Sequence, residues 1–375
     1  MTWEFHPAKA NFSTYAEEWD RLNVQLFDGH PFFDSRFVGP LLDHFASGKE
    51  QLCICRTNGV ISGVLILEQV GFGRWVSFRP SQAQVTSILI SDASTLSELL
   101  AALPGFAWTI EFLAIDPRYS PDLSRSALAR TVSSHVRTIA IERGISFSDY
   151  WNRRSKNLRA NIRRYLNRAK REAGLPEFSI RANSEDMTSG VRRFGELESA
   201  GWKGAAGTAV AIENKQGAFY ADVLSRFALT NQAEICELSI GNQLAASRLL
   251  ISNRQMIVIL KTAYSESLAR FAPSRLLLYR LLEDCLASQS TKAIEFYTNA
   301  TIEQAEWSTS DSMIQNIQVF KSNFIEAGHR FLRLILGALR ESTRRSKASE
   351  VSRAAAASSD SELPPKLRLP RVTHY

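Results

Sequence analysis

The chain has 375 residues, of which 45% are hydrophobic and 22% are charged. This composition excludes disordered, collagen-like and disulfide-rich proteins, and at roughly 100–200 residues per domain the length predicts two domains. The formal charge of +7 is concentrated in two places. The segment from Trp151 to Glu172 carries seven arginines and two lysines against one acid, and the tail from Arg340 to Tyr375 carries a net +4, so the rest of the chain is mildly acidic.

Cysteine spacing and the N-terminus indicate the compartment. Cys53 and Cys55 would point to the same face of a strand, and no Cys or His follows at zinc spacing, so we predict buried apolar residues and no metal site. Residues 1–14 lack the basic flank and apolar core of a secretory signal. No stretch reaches the ~18 apolar residues of a membrane span. We therefore expect a cytoplasmic protein without a transmembrane segment.

Residues 1–144 are predicted to form a mixed α/β domain. Asn58-Gly59 and the Gly71–Gly73 segment separate strand-like runs, which favours hairpins. No reactive constellation occurs in this part. The predicted strands are Gln51–Arg56, Val60–Val70, Arg74–Phe78, Ala107–Ile115 and His135–Glu142, and the predicted helices are Tyr15–Leu26 and Ser94–Ala102.

A basic helix is predicted over residues 147–173. Ser146 and Asp149 resemble a capping box, and helix-compatible sequence continues to Gly174. Apolar residues at spacings of three and four from Leu158 onward predict one apolar stripe, with arginines around the rest of the circumference. The nine cations of residues 151–172 favour an anionic partner, which could be a glycan or nucleotide-linked sugar, an RNA such as a tRNA, or a membrane surface.

Residues 145–340 are predicted to form a second α/β domain, followed by a disordered basic tail over 341–375. The predicted strands are Glu177–Ala182, Ala233–Ile240, Gln243–Ile251, Gln255–Thr262 and Ala293–Thr298. The predicted helices are Ser184–Glu198, Ala218–Leu229, Pro273–Ala287 and Glu326–Arg340.

The most informative segment leads from strand Gln255–Thr262 into the helix that begins at Pro273. Proline suits a first helical turn, and the unbonded N–H groups there make an anion site. A phosphorylated cofactor could bind at Ser274 with help from Arg270 or Arg275. An ordinary helix start with solvated arginines has the same pattern.

The order of several marks resembles the GNAT acyltransferases of the CelD (cellulose biosynthesis protein) type, which are related to the FemAB aminoacyl transferases. The resemblance covers roughly residues 144–321. Its marks are Ser146–Gly174, Glu198–Lys203, Phe219-Tyr220, Lys261–Tyr264, Arg270–Leu278 and Glu295–Trp307.

The resemblance implies an α+β fold of two GNAT-like copies, each with a mostly antiparallel central sheet flanked by helices, the first copy being degenerate. It further implies that Ala293–Thr298 splays away from Gln255–Thr262. In the family this splay admits the pantetheine arm of an acyl-CoA. The following loop and helix would then hold the pyrophosphate through four cofactor-binding residues, Arg270, Pro273, Ser274 and Arg275.

Acyl transfer from a thioester to an amine needs the amine deprotonated and the leaving thiolate protonated. Glu237 on a core strand is the candidate base, and Tyr264 or Tyr297 is the candidate acid. Trp202, Lys203 and Tyr220 are the candidate substrate-binding residues.

The chain departs from the family pattern after its last core strand. The family carries a Gly-Asp pair and then a Lys, where this chain has Asn299-Ala300 and Gln304, although Trp307 is in place. We expect an acyl-CoA-dependent N-acyltransferase acting on a sugar, a polysaccharide precursor or a small acceptor. The basic helix favours an aminoacyl-tRNA-dependent transferase instead, whereas Ala300 and Gln304 favour a non-catalytic binding protein of the same fold.

Overall fold

The structure is a computed structural model that describes residues 1–142, 144–201, 209–287 and 292–331. The chain divides into two compact units, Met1–Lys321 and Ser322–Tyr375. In the second unit the described residues form a helix over 323–331, in which Arg330 pairs with Glu326 one turn earlier, at 2.6 Å. All strands described below belong to the first unit.

The strands of residues 1–142 are β1 (Thr2–Pro7), β2 (Gln51–Thr57), β3 (Val60–Gly71), β4 (Arg74–Ser77), β5 (Leu89–Ile90), β6 (Thr109–Ile115) and β7 (Ala129–Ile141). Those of the later residues are β8 (Glu177–Arg181), β9 (Ala233–Ile240), β10 (Gln243–Ser252), β11 (Met256–Tyr264), β12 (Ala293–Glu295) and β13 (Ser310–Phe320).

The α-helices are α1 (Ala8–Asn11), α2 (Ala16–Phe27), α3 (Ser35–Phe45), α4 (Leu96–Ala102), α5 (Phe147–Asn152), α6 (Lys156–Glu172), α7 (Ser184–Ser199), α8 (Lys215–Ala228), α9 (Pro273–Cys285) and α10 (Ile302–Ala305). Short 3₁₀ helices include Pro117–Tyr119 and Glu266–Phe271. No helix among the described residues is long and apolar enough to cross a membrane.

One strand arrangement occurs twice in a single sheet. The sheet order is β1-β2-β3-β4-β6-β13-β7-β12-β11-β10-β9-β8, with β5 paired to β3. In the first half, β1 to β4 are antiparallel and β4 pairs with β6 in parallel. In the second half, β8 to β11 are antiparallel and β11 pairs with β12 in parallel. The fold is therefore α+β, with two similar halves.

The two halves share their central strands. β7, from the first half of the chain, pairs with β12, and β13, from the end of the second half, pairs with both β6 and β7. β7 of the first half thus lies beside the parallel pair β11–β12, and β13 of the second half lies beside the parallel pair β4–β6. The division into domains at residue 144 stays a prediction.

The second-half sheet buries a different set of side chains on each face. Leu249 and Ile251 of β10 pack in one core with α7 and α8, whereas Ala246 and Leu250 pack in the other core with α6 and α9. This alternation follows from the period of two along a strand. It fixes α6 and α9 on the same face of the sheet.

The predicted basic helix is two helices, since α5 ends at Asn152 and α6 begins at Lys156. Ser155 caps α6, because its Oγ accepts the N–H of Leu158 at 3.1 Å. The predicted apolar stripe is confirmed: Leu158, Ile162 and Ala169 are buried in the core that contains α9. Strands β1 and β13 and helix α3 are absent from the predicted elements, and residues 332–375, including the predicted tail, lie outside the described residues.

Candidate active site

A cleft opens in the second half where β11 and β12 diverge. Their parallel pairing joins Met256–Val258 to Ala293–Glu295 only, and β11 then continues to Tyr264 without β12 beside it. The cleft has a volume of about 620 Å³ and is lined by Ile259–Thr262 on one side and Phe296–Thr298 on the other. A β-bulge lies in the first wall, since Leu249 pairs with Lys261 and Leu250 pairs with Ile259.

The corresponding gap of the first half is filled by its own chain. The backbone N–H of Thr86 donates to the carbonyl oxygen of Ala114 at 3.1 Å, which holds this segment against the end of β6. Phe78, Ala83 and Val85 of this segment are buried. In the second half, by contrast, the space between the diverging parallel strands is the cleft described above.

The N-terminus of α9 forms one end of the cleft. Pro273 and Ser274 both line it, and they follow Ala272, whose φ of 51° and ψ of 53° lie in the left-handed region. Pro273 has no N–H, and the N–H of Ser274 makes no bond to any described residue. The partial positive charge of a helix N-terminus therefore faces the cleft.

Arg248 of β10 also lines the cleft, although sequence reasoning missed it. The residue is 6% exposed, and its Nη2 donates to the carbonyl oxygen of Ser274 at 3.4 Å. Its Nε is buried without a partner, and no ion pair to a carboxylate is found for it within the described residues. Burial lowers the pKa of Arg248 to about 10, so the guanidinium stays charged at neutral pH.

The two predicted phosphate-binding arginines have different surroundings. Arg275 lines the cleft and forms an ion pair with Glu303, which also lines it. Arg270 is absent from the residues that line this cleft, and its side chain is 62% exposed. Its Nε lies 3.9 Å from Glu172 of α6, and its guanidinium stacks over Phe271.

The two candidate acids also differ. Tyr264, at the end of β11, is 45% exposed and lines the cleft. Tyr297 lines the cleft too, but it is 5% exposed and its backbone has a strained φ of 40°. Burial raises the pKa of Tyr297 well above its usual value, so its phenol is a poor proton donor to solvent or ligand.

The phenol of Tyr297 belongs to a buried chain of hydrogen bonds. The N–H of Phe32 donates to Nδ1 of His30 at 3.2 Å. Burial lowers the pKa of His30 to about 3, so the ring is neutral and carries its proton on Nε2. Nε2 therefore donates to the Tyr297 hydroxyl at 2.9 Å, and that hydroxyl donates to Asp116 at 3.1 Å.

Arg118 continues this network between the halves of the sheet. Its guanidinium binds Asp116 at the end of β6 and Glu295 at the end of β12, each with a shortest distance of 2.7 Å. Asp116 is 0% and Glu295 1% exposed. Burial opposes the charge of Arg118, but its hydrogen bonds to both carboxylates raise its pKa. Burial raises the pKa of Glu295, whereas Arg118 lowers it.

Glu237 does not line the cleft. It lies on β9, 4% exposed, where Arg181 Nε donates to Oε2 at 2.9 Å and Arg193 Nε donates to Oε1 at 2.8 Å. Both carboxylate oxygens are thus engaged by guanidinium groups, an arrangement that joins β8 and α7 to β9. Its role as a base stays a prediction.

The candidate substrate-binding residues are only partly described. Trp202 and Lys203 lie outside the described residues. Tyr220 of α8 is 1% exposed, and its hydroxyl has no hydrogen-bond partner among the described residues. The ammonium of Lys261, which lines the cleft, lies 5.7 Å from the centre of the Tyr220 ring.

The departures from the family pattern lie at the cleft or near it. Gln304 lines the cleft and completes a capping box with Thr301 at the start of α10. The N–H of Ala300 donates to the carbonyl oxygen of Arg137 at 3.1 Å. Trp307 also lines the cleft and is 3% exposed. Among the described residues, no group of three or more His, Cys, Asp or Glu side chains could hold a metal ion.

Residues 156–304 match the family model described as an acetyltransferase (GNAT) domain. The fold is GNAT-like. The structure of FemX has a TM-score of 0.56 and 11% identity, covering 84% of this chain and 97% of its own. The C-terminal domain of a putative lysylphosphatidylglycerol synthetase from Agrobacterium fabrum has a TM-score of 0.53 and 11% identity, and the match covers 88% of this chain and 97% of that domain.

A conserved protein of unknown function from Bacteroides thetaiotaomicron has a TM-score of 0.52 and 11% identity, covering 85% of this chain and 100% of its own. At these identities the likeness concerns the fold. No curated protein matches the chain. The GNAT-like match spans β8 to β12 and includes both walls of the cleft.

Proposed function

We propose that the chain is an acyltransferase that moves an acyl group from an acyl-CoA to an amine in the cleft between β11 and β12. The observation that carries this proposal is the divergence of the parallel pair β11–β12 around a cleft that ends at the N-terminus of α9. An extended arm with amide groups can lie along the unpaired edge of β11, and an anionic group can lie at the helix.

In the proposed reaction the amine nitrogen attacks the thioester carbon, the new C–N bond forms and the C–S bond breaks. The proton lost by the amine and the proton gained by the thiolate balance each other. Tyr264 is our candidate for protonating the thiolate, because it is exposed at the cleft and Tyr297 already donates to Asp116. Replacing Tyr264 by Phe should lower kcat by about 10²-fold with little change in acyl-CoA affinity.

Calorimetry with acetyl-CoA and longer acyl-CoAs tests the donor. We expect binding, and no heat at millimolar ligand would remove the proposal. Among the variants, Arg275→Ala should weaken binding about tenfold, since Arg275 lines the cleft. Arg270→Ala should weaken it less, because Arg270 is largely exposed and outside the lining. Arg280→Ala is a matched control on the same helix, where Arg280 pairs with Glu283.

Helix α6 favours a second candidate, an aminoacyl group delivered by tRNA. Lys156, Arg163, Arg164 and Lys170 are exposed and form no ion pair within the described residues. Binding to phosphates through such residues weakens steeply with salt, whereas binding of a small acyl-CoA should depend on salt much less. A double variant, Arg163→Gln with Arg164→Gln, should reduce binding of charged tRNA and its salt dependence while leaving acyl-CoA binding unchanged. Binding to acyl-CoA but not to tRNA would exclude this second candidate.

A further inference from the structure

The interior of the cleft contains a cation, Arg248, that forms no ion pair with a carboxylate among the described residues. Arg248 projects from the middle of β10, in a ladder where it pairs with Cys236 on one side and Thr262 on the other. Cys236 is fully buried, and burial raises its pKa well above the usual thiol value, so it is a neutral neighbour. A buried charge without a partner is costly and is rarely retained without a compensating group.

The loop before α9 offers few open backbone donors for an anion. Residues 266–271 form a 3₁₀ helix, the N–H of Leu268 donates to Ser265 and the N–H of Ala272 donates to Ala269. Pro273 has no N–H to give. Among the described residues at this end of the cleft, the N–H of Ser274 therefore stays open, and the guanidinium of Arg248 lies beside it and already donates to the Ser274 carbonyl oxygen.

We propose that Arg248 binds a phosphate group of the donor substrate at the N-terminus of α9, in the interior of the cleft. A phosphate has enough acceptor oxygens for both the guanidinium fork and the Ser274 N–H, with the helix dipole behind them. The buried guanidinium would thus supply hydrogen-bond donors that the backbone of residues 266–272 does not offer. The proposal rests on the proposed function in that the site is the donor end of the cleft.

The phosphate could belong to CoA or to the 3′ end of a tRNA, and the ligands of the test separate these sources. Pyrophosphate is the minimal probe, CoA and a CCA trinucleotide are the two donor probes, and pantetheine is the matched ligand without phosphate. Binding is measured by calorimetry on the full chain, and thermal unfolding is followed with and without pyrophosphate.

The variants are Arg248→Met, Arg248→Lys and the control Arg137→Met. Arg137 lies on β7 with a side chain 58% exposed and paired to Asp311, so its replacement changes the net charge equally but outside the cleft. We expect Arg248→Met to weaken binding of the phosphate ligand about ten- to a hundredfold and to leave pantetheine affinity unchanged. Arg137→Met should change neither. Without ligand, Arg248→Met should unfold at the same temperature as the wild type or higher, since it removes an uncompensated buried charge.

Equal affinity of the wild type and Arg248→Met for the phosphate ligand would overturn the assignment while leaving the proposed acyltransferase intact. Binding of pyrophosphate and the CCA trinucleotide but not of CoA, all dependent on Arg248, would support the assignment and overturn the acyl-CoA donor. Failure of every phosphate ligand to bind the wild type would overturn the assignment. If Arg248→Met does not fold, Arg248→Lys is the deciding variant, because it keeps the positive charge but loses the bidentate guanidinium. Weaker CoA binding with unchanged pantetheine binding would then support the assignment. Unchanged CoA binding would overturn it.

Discussion

Replacing Arg118 by Met tests whether the buried network holds the two halves of the sheet together at the cleft. The guanidinium bridges Asp116 and Glu295, whose side chains are 0% and 2% exposed. Its removal leaves two carboxylates buried without their cation. The guanidinium accounts for both hydrogen bonds found for Glu295, whereas Asp116 keeps the hydroxyl of Tyr297.

Removing one partner of a buried ion pair costs about 3–5 kcal/mol. Because the Arg118 side chain is 34% exposed, water compensates part of the loss, and we expect a decrease of about 3 kcal/mol in the free energy of unfolding. A second change, Glu295→Gln, removes one of the uncompensated charges. The double variant should therefore recover about 1–2 kcal/mol relative to Arg118→Met alone.

The assay is urea denaturation at pH 5 and pH 7.5, with the same m-value required of all variants. Burial already raises the pKa of Glu295, so the folded protein holds this proton more tightly than the unfolded chain. The resulting contribution to the free energy of unfolding is present at low pH and is lost as the pH rises through the folded-state pKa. Without Arg118 this pKa rises further, and the deficit of the single variant should be larger at pH 7.5 than at pH 5. A loss below about 0.5 kcal/mol, or a double variant no more stable than the single one, would refute the reasoning.

Three further predictions concern stability. Gly217→Ala should lower the unfolding free energy by more than about 2 kcal/mol in urea denaturation, because a Cβ there would lie 2.0 Å from the carbonyl oxygen of Ala211. The control Gly71→Ala should have little effect, because a Cβ at Gly71 would have no atom within 4 Å. Equal losses for the two variants would contradict this prediction. His30→Asn should be less stable than the wild type, and this difference in unfolding free energy should shrink by up to about 1.4 kcal/mol per pH unit as the pH falls from 6.5 toward 4.5. The reason is that the folded-state pKa of His30 is lowered to about 3, so the wild type loses stability over this range. A pH-independent difference would contradict the neutral buried ring. Ser155→Ala should cost about 1 kcal/mol through loss of the α6 cap, and unchanged thermal unfolding would argue against it.

The parts of the site that are close in sequence could be predicted from it. Tyr264, Ser274 and Arg275 lie within one strand, loop and helix, and proline at a first helical turn is a local signal. The second-half strands were predictable for the same reason, because apolar alternation and turn residues specify them locally. Strand β13 is different: its first residues are polar and partly exposed, and its pairing with β6 and β7 depends on segments about 170–210 residues away.

The buried charges show where sequence reasoning stops. Arg248 is the single charged residue of β10, and this isolated charge was a usable signal for a buried functional group. Glu237 has the same kind of signal, but its partners Arg181 and Arg193 are 56 and 44 residues away, so the sequence does not separate an ion pair from a catalytic base. The contact of His30 with Tyr297 spans 267 residues and follows only from the fold.

Both halves of the sheet contribute residues to the open cleft and to the network beside it. The first half fills its own gap, yet it supplies Gln84 to the lining of the second, and it supplies His30, Asp116 and Arg118 to the network that fixes Tyr297. β12 also has β7 of the first half as its neighbour, so its position depends on residues before 142. If residues beyond 145 were expressed alone, Glu295 would lack the guanidinium of Arg118, and β12 would lack its neighbour β7. The first half therefore acts as a wall and a support for the cleft, which gives a physical reason for the repeated strand arrangement of the sheet.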